Sequence, residues 1–544
     1  MQIAVIGAGM CGMRCALSLQ AQGFDVRVFD KGRTVGGRMT SKRLLQGYGD
    51  MGAQYFTARS QLFQVEVARW QQQGSIHLWP QHLAAWSASA PEHSASRLRA
   101  SSDQQLRYSG TPTMHAVVKD LQHQFEQRCK ETTGLKNGSV HGLEQPPSAE
   151  HLSHDNLTSP CNVSPCNASA WPQRVNVSHT LTALSYQPSV AAGSPARWQL
   201  RFADGKQWQA DAVVLAMPPV QAHALLMTVL DEAQIQPSAS LTEQALHTAA
   251  PHTATPPWQD NKTAGLMQAQ YVQLAQFAKQ LQQAPALAPC WAVLLQFSSV
   301  LPLDLSRIVS NGINQLDGIF VQQRPARWIA CLDTKRPGAQ LADTNLMDIN
   351  HAEGGHAQRV TAQQVTMQQH PGSLWLVHFS ADWSAQHIDA SVDELQAAAH
   401  AELAAVLADV LSSPMPAPVA VQTHRWRYAI SAELGIKSSA DDFERACRPE
   451  LPSMSSSSNS SNTLSTVPCS EQRTTCQAAA PTTASTTSPA TALQSATEAI
   501  FAMPDCAIWA GGDWCLGGRV ENAYLMGEAI AQHIGKTFAK SSLA

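Results

Sequence analysis

The residues that could do chemistry gather near the two ends of the chain. An apolar, β-prone run from Gln2 to Ile6 opens directly into Gly7-Ala8-Gly9-Met10-Cys11-Gly12. In a turn of this spacing the first glycine permits a tight exit from the strand, the second lets the main chain approach a pyrophosphate, and the third lets the next helix pack on the sheet. Free N–H groups and the positive helix end then face phosphate. The spacing alone is weak, because glycines also occupy ordinary turns. Its surroundings strengthen it. Met10 to Gln22 carries a helical apolar pattern, Asp25 to Asp30 alternates into a second strand, and Asp30 follows Gly7 by 23 residues. An acid about 20 residues on reaches ribose hydroxyls and disfavours a 2′-phosphate.

Just beyond lies Lys31-Gly32-Arg33-Thr34-Val35-Gly36-Gly37-Arg38-Met39. It resembles the second cofactor motif of flavoproteins with two dinucleotide-binding domains. That resemblance implies FAD, with Lys31, Arg33, Gly37, Arg38 and Met39 around it and Arg38 assisting its phosphates. Far along the chain, Ala510-Gly511-Gly512-Asp513-Trp514-Cys515-Leu516-Gly517-Gly518-Arg519-Val520-Glu521-Asn522-Ala523 precedes a helical pattern from Tyr524 to Ile534. It resembles the C-terminal FAD motif of the same proteins. The resemblance places Asp513 on the ribityl chain and Arg519, Val520, Glu521, Asn522 and Ala523 at a helix start facing the flavin edge, where the helix dipole favours negative charge. A surface turn and a glycine-rich turn before a helix are the plainer readings of these two segments. The flavin is expected to be held without a covalent bond, Cys515 notwithstanding.

The elements that must position these motifs follow from the pattern. Strand, glycine turn, helix and strand form the opening of a βαβ unit. Trp198 to Phe202 and Lys206 to Trp208 flank Asp204-Gly205, a hairpin signal. Ala212 to Ala216 is a continuous apolar run closed by Met217-Pro218-Pro219, as suits a buried parallel strand. Trp291 to Phe297, Trp328 to Leu332 and Leu374 to Phe379 read as strands of one mixed sheet, joined by an amphipathic segment from Val392 to Leu411. The expected fold class is α/β: a Rossmann-type dinucleotide domain built from 1–60, 98–129, 196–219 and 500–544, and a mixed-sheet substrate domain from 61–97 and 220–436. Segments 130–195, 237–262, 339–364 and 441–497 read as inserts. The last holds a Ser455 to Ser458 run and long Thr/Ala/Ser tracts, a composition that cannot offset the entropy of ordering and predicts disorder.

Composition narrows the function classes. The chain has 544 residues, a formal net charge of -4 and only 14% charged residues, so no basic surface for nucleic acid is indicated. No apolar run is long enough for a transmembrane helix. The first residues read as a strand rather than a signal peptide, which makes a cytoplasmic location the expectation. Twelve cysteines lack paired CxxC spacing and twenty histidines lack HExxH spacing, so reduced thiols and no metal site are expected.

Further segments narrow the resemblance: Asp50-Met51-Gly52-Ala53-Gln54-Tyr55-Phe56-Thr57, Tyr108 to Met114, Pro289-Cys290-Trp291-Ala292, and His424-Arg425-Trp426-Arg427-Tyr428-Ala429. With the glycine motifs they look like the bacterial renalase-like branch of the amine oxidase and protoporphyrinogen oxidase superfamily. Thr113 stands where that family usually has glycine. The resemblance implies a p-hydroxybenzoate-hydroxylase-like arrangement, a FAD domain roofed by the mixed sheet of a substrate domain. It also implies oxidation of dihydro isomers of NAD(P)H, with hydride passing to flavin N5 and electrons to O2, giving hydrogen peroxide. Such a ring is already electron-rich, so positioning supplies most of the catalysis; no catalytic acid or base stands out. Gln54 and Tyr55 are candidates for the flavin edge, and Trp291, His424, Arg425, Trp426 and Tyr428 for the substrate side. Two alternatives stand beside this reading. An amine oxidase would need an aromatic cage, for which Trp291, Trp383, Trp426 and Tyr428 are available; a flavin-binding protein without turnover would need only the motifs.

Overall fold

The computed structural model describes the chain except residues 45–46, 89–95, 102, 139–170, 172, 189–196, 234–260, 309–314, 336–371, 432–487 and 542–544. The fold is mixed α/β, with a Rossmann-type unit and sheets of mixed orientation. Gln2–Ile6 lies at the heart of a six-stranded sheet, parallel to Asp25–Phe29 on one side and Ala212–Leu215 on the other. Ile508–Ala510 extends the sheet in parallel beyond Ala212–Leu215, and Phe501–Met503 closes that edge antiparallel. Strands buried on both faces need apolar residues in succession. Here Ile3 and Val5 enter one core while Ala4 and Ile6 enter another.

The first of these cores packs helices Met10–Ala21, Gln61–Gln72, His115–Gly138 and Val520–Ser541 against the sheet. The other face carries a three-stranded antiparallel sheet, Leu181–Gln187, Arg197–Phe202 and Gln207–Ala210, backed by helices Pro219–Glu232 and Asn261–Gln282. The expected hairpin is present, with Gly205 at φ +81°.

The second unit is a seven-stranded mixed sheet in the order Ala420–Ser431, Leu287–Phe297, Ser373–Phe379, Ala326–Cys331, Gly318–Val321, Leu83–Trp86, Leu98–Ala100. Its two faces separate by strand alternation. Val293, Leu295 and Trp291 pack with helix Val392–Leu407 on the far face; Ala292 and Leu294 face Met51 and the nucleotide unit. Glu402 ties the far helix to the sheet, accepting from Arg324 Nε at 3.0 Å, from its Nη2 at 2.9 Å and from the Ala326 amide at 3.1 Å.

Packing corrects several boundaries. Gln61–Gln72 puts Phe63, Val67 and Trp70 into the nucleotide core, and Pro219–Glu232 backs the same unit, so neither belongs with the mixed sheet. Within the segment read as an insert from 130 to 195, helix His115–Gly138 runs past its start, and Val175–Asn176 pairs in parallel with Asp25–Phe29 as the sheet's edge. Helix Pro489–Glu498 occupies the end of the last expected insert. The Ser/Thr-rich tract itself, with most of 237–262 and 339–364, lies outside the described residues. No helix among the described residues is long and apolar enough to cross a membrane.

Removing the Glu402 carboxylate strands a guanidinium that is only partly exposed, a loss of roughly 2–3 kcal/mol. Glu402→Ala is therefore expected to lower the urea midpoint of the mixed-sheet unit, followed by tryptophan fluorescence. An unchanged midpoint would count against the tie.

Candidate functional site

The glycine turn has the geometry its sequence demands, and each glycine has a separate reason. Gly7 sits at φ +111°, and a Cβ there would come within 2.3 Å of the Ala216 carbonyl oxygen. A Cβ on Gly12 would stand 1.8 Å from the Gly7 carbonyl oxygen. These two are excluded from carrying side chains by the protein itself. Gly9 differs: its φ of -77° suits any residue, and the nearest protein atom to a Cβ is the Gly37 Cα at 4.0 Å. The space over Gly9 is a cradle that a methyl group would begin to fill, and it belongs to the cavity.

Asp30 ends the second strand with both carboxylate oxygens engaged, one by the Ala8 amide at 2.6 Å and the other by the Gly32 amide at 2.6 Å. A carboxylate offers about four acceptor positions, so Asp30 fixes the turn and keeps capacity for hydroxyls. Lys31, Arg33, Gly37, Arg38 and Met39 continue the cavity wall. Arg38 Nη2 is ion-paired to Asp513, while its Nη1 donates to the Ala429 carbonyl at 2.9 Å. The second and third glycine motifs, whose Arg38 and Asp513 are 475 residues apart, thus meet in one ion pair on the cavity wall.

At the far motif, Gly517 and Gly518 take φ +97° and +83°, and the Gly518 amide returns to the Asp513 carbonyl at 2.9 Å. That turn starts helix Val520–Ser541 with Arg519, Val520 and Ala523 on the cavity. Glu521 is turned away. Its carboxylate accepts from the Arg59 and Ser60 amides and the Ser60 hydroxyl, anchoring the helix start to the neighbouring helix cap. Asn522 likewise serves the turn, donating to the Leu516 carbonyl at 2.5 Å. Burial pushes the Cys515 thiol up to about 12 and raises that of Cys11 well above its ordinary value. Neither supplies the thiolate that a covalent flavin link needs at neutral pH.

The cavity, about 1880 Å³, runs from this turn to the near face of the mixed sheet. Pockets for one drug-sized ligand run to roughly 300–1,000 Å³, so this cavity is large enough for more than one such ligand. The residues present fit a dinucleotide: a cradle over Gly9, main-chain amides beside it, a strand-end acid, and a helix start facing inward. Gln54 and Tyr55 lie on the wall between the two units. Gln54 Nε2 donates to the Asp50 carbonyl at 2.5 Å and the Gly52 carbonyl at 3.1 Å, leaving Oε1 buried without a protein partner. Tyr55 packs edge-on to Trp328, with ring centroids 5.5 Å apart, and lies 5.6 Å from the Arg107 guanidinium carbon.

Strand register decides which substrate-side candidates reach the cavity. His424 pairs with Ala292 and Trp426 with Cys290, which puts both on the near face; Trp426 Nε1 donates to the Met51 carbonyl at 2.8 Å. Tyr428 also lines the cavity. Trp291 pairs with Arg425 on the opposite face, where its indole donates to the His387 carbonyl at 2.8 Å. Arg425 reaches over that indole to the Ile388 carbonyl and Asp389, so it stands at the rim rather than over the cavity floor. Trp383 is stacked between Phe379 and His387 at 3.9 and 4.0 Å. The four aromatic residues named for a cage are therefore not brought together.

Sequence reasoning passed over Lys335, His378, Arg107 and Trp328. Lys335 and His378 carried no motif; each becomes visible only when two sheets are stacked. His378 Nε2 contacts the Met51 carbonyl at 3.0 Å, which requires the ring proton on that nitrogen. Burial lowers its pKa to about 4 and does the same for His115; burial with Lys42 nearby lowers His424 to about 4. All three rings are neutral at pH 7. Among the described residues no group of three potential metal ligands occurs.

Residues 5–65 match the NAD(P)-binding Rossmann-like domain family. The amino-terminal unit is a Rossmann-like dinucleotide-binding domain. Three solved structures run the length of the chain at 11% identity: a protein described as a protoporphyrinogen oxidase from Exiguobacterium sp. 255-15 (98% of this chain, 99% of that one, TM-score 0.44), cyclohexylamine oxidase from Brevibacterium oxydans IH-35A (99% and 99%, 0.44), and a triple mutant of putrescine oxidase (98% and 98%, 0.45). Likeness at this level concerns the path of the chain and carries nothing about substrate.

Gly9→Ala is expected to keep the unfolding temperature of the apoprotein while weakening dinucleotide binding about tenfold or more; Gly12→Ala is expected not to fold. Equal binding by Gly9→Ala would remove the cradle. A second expectation concerns acid. The folded pKa of His115 and His378 lies below the ordinary 6.5, so the unfolded chain takes up protons first as pH falls. Stability should be full above about pH 6.5 and decline toward pH 4, with a shallower decline in His115→Gln, measured as thermal midpoint against pH.

Proposed function

We propose that the chain is a FAD-dependent oxidoreductase of the renalase-like kind, oxidising a small, negatively charged reduced substrate such as a dihydro-NAD(P) isomer. The observation that carries this reading is the make-up of the cavity. Among its described lining residues, twelve are Lys or Arg and two, Asp30 and Asp513, are acidic, in a chain whose formal net charge is -4. Arg38, Arg107, Arg324 and Arg425 are ion-paired to Asp513, Asp103, Glu402 and Asp389, and the remaining excess of positive charge concentrates ligands of the opposite sign. Some of those cations serve the cofactor's own pyrophosphate, while Lys42, Arg43, Arg327 and Arg427 lie toward the paired strands Ser41–Leu44 and Gly47–Asp50 and the mixed sheet. A protonated amine would meet repulsion there.

FAD supplies a two-electron acceptor that O2 reoxidises to give hydrogen peroxide. The chain's residues bind and orient. Gly9 and the amides after it would receive the pyrophosphate, Asp30 the adenosine ribose, Arg38 and Asp513 the middle of the cofactor, and the start of helix Val520–Ser541 the ring edge. The near face of the mixed sheet, which brings Trp328, His378 and Trp426 to the cavity, would screen the ring from bulk water.

The two imidazoles that the mixed sheet brings to the described wall accord with hydride chemistry. His378 and His424, both on the wall, are held neutral near pKa 4 and donate no proton at pH 7. A dihydronicotinamide needs none, because loss of hydride restores its aromatic ring; placement over the acceptor is what the protein must provide.

Anaerobic mixing of the FAD-loaded protein distinguishes the classes. Rapid bleaching of the flavin absorbance by dihydro-NAD(P) isomers, and none by primary amines such as putrescine, is the expected result. Bleaching by amines alone assigns the chain to amine oxidation; no bleaching by either, with FAD retained, leaves a flavin-binding protein without this turnover.

A further inference from the structure

Asp50 to Gln54 belongs to the nucleotide unit, yet its shape is held from the other one. Lys335, just after strand Ala326–Cys331 of the mixed sheet, donates from Nζ to Asp50 Oδ2 at 2.7 Å and to the Gln54 carbonyl at 2.7 Å. The same ammonium stands 4.7 Å from the centroid of Trp79. One cation therefore pins both ends of a five-residue loop. Between those ends, the Met51 carbonyl is held by His378 and Trp426, again from the mixed sheet. Gly52 is pressed on the Arg38 carbonyl so closely that a Cβ would stand 2.0 Å from it.

The Lys335 and Asp50 side chains are 4% and 3% exposed, and neither lines the cavity, so Lys335 touches no ligand. Its effect is carried by Gln54, which does line it. The Gln54 amide is orientated by its two main-chain acceptors, so the atom left over is the acceptor Oε1, buried and without a protein partner. An unmatched buried acceptor is costly unless a ligand supplies a donor.

Resting on the FAD-dependent reading above, we propose that Lys335 is a positioning residue: it sets Gln54 so that Oε1 accepts a hydrogen bond from a ring N–H of the bound cofactor. Lys335 thereby tunes the electron affinity of that ring from a residue that never contacts it. A hydrogen bond to a cofactor ring is one of the means by which a protein adjusts its electronics.

The test uses the full-length holoprotein. Lys335→Met with Asp50→Asn removes both charges together, avoiding a stranded carboxylate, and Gln54→Leu removes the acceptor directly. The readouts are the flavin absorbance spectrum, the two-electron reduction potential and the split between kcat and KM. Expected are a shifted spectrum and potential in both variants, kcat lower by about tenfold with KM little changed, and no further shift when the three substitutions are combined. A double variant with wild-type spectrum, potential and kcat would make Lys335 merely structural and overturn the proposal. So would Gln54→Leu with an unshifted spectrum, which serves if the double variant fails to fold. Loss of FAD from the unaltered protein would strike the functional reading instead.

Discussion

The buried ion pair between Asp50 and Lys335 is the constraint on which the two halves of this molecule depend. An isolated carboxylate or ammonium in such a place would cost several kcal/mol, and the pair is tolerable because each partner makes further hydrogen bonds. Asp50 also accepts from the Ser41 hydroxyl at 2.5 Å and the Met114 amide at 3.2 Å; Lys335 also meets the Gln54 carbonyl. Those partners come from the hairpin beside the cavity, from the start of helix His115–Gly138 and from the cavity wall. Neutral groups could fill the same volume, but they would not hold so many directions at once.

From that junction the architecture of the cavity follows. The nucleotide unit contributes its floor through the glycine turn, Asp30 and the Arg38–Asp513 pair. The mixed sheet contributes the roof through Trp328, His378, His424 and Trp426. Neither surface is useful alone, and the loop from Asp50 to Gln54 is where they are brought into register. Burial adds a chemical consequence: it keeps the His378 and His424 imidazoles on the wall neutral, so the positive charge there is carried by Lys and Arg.

Much of this was legible in the residues. The strand, glycine turn, helix and strand could be read because each step has a local cause: an apolar run, a turn only glycine can make, a period of 3.6, an acid at a strand end. The same holds for the Asp204-Gly205 hairpin and for the three apolar strands of the mixed sheet. What stayed hidden depends on register and long-range pairing. Trp291 and Trp426 are alike as sequence, yet strand pairing sends one to the far core and one to the cavity. Val175–Asn176 has two residues and no periodicity, so its place at the sheet edge could not be read. Glu521 and Asn522 sit in a cofactor-like motif but spend their polar groups on the turn itself. Lys335 carries no local signal at all; its role exists only where it meets Asp50.

The contact between the two ends of the described chain has its own consequence. Gly527 is packed so near the first helix that a Cβ would lie 2.4 Å from the Cys11 carbonyl oxygen, and Arg14 pairs with Glu528 across that seam at 2.8 Å. The strand bearing Ile508–Ala510 is likewise laid beside Ala212–Leu215 only after the mixed sheet has been synthesised. On a ribosome the glycine turn emerges long before its covering helix and the acid at 513. Between the two the nucleotide cleft stands open, and it is completed only once the segment bearing Asp513 and Gly527 has been made.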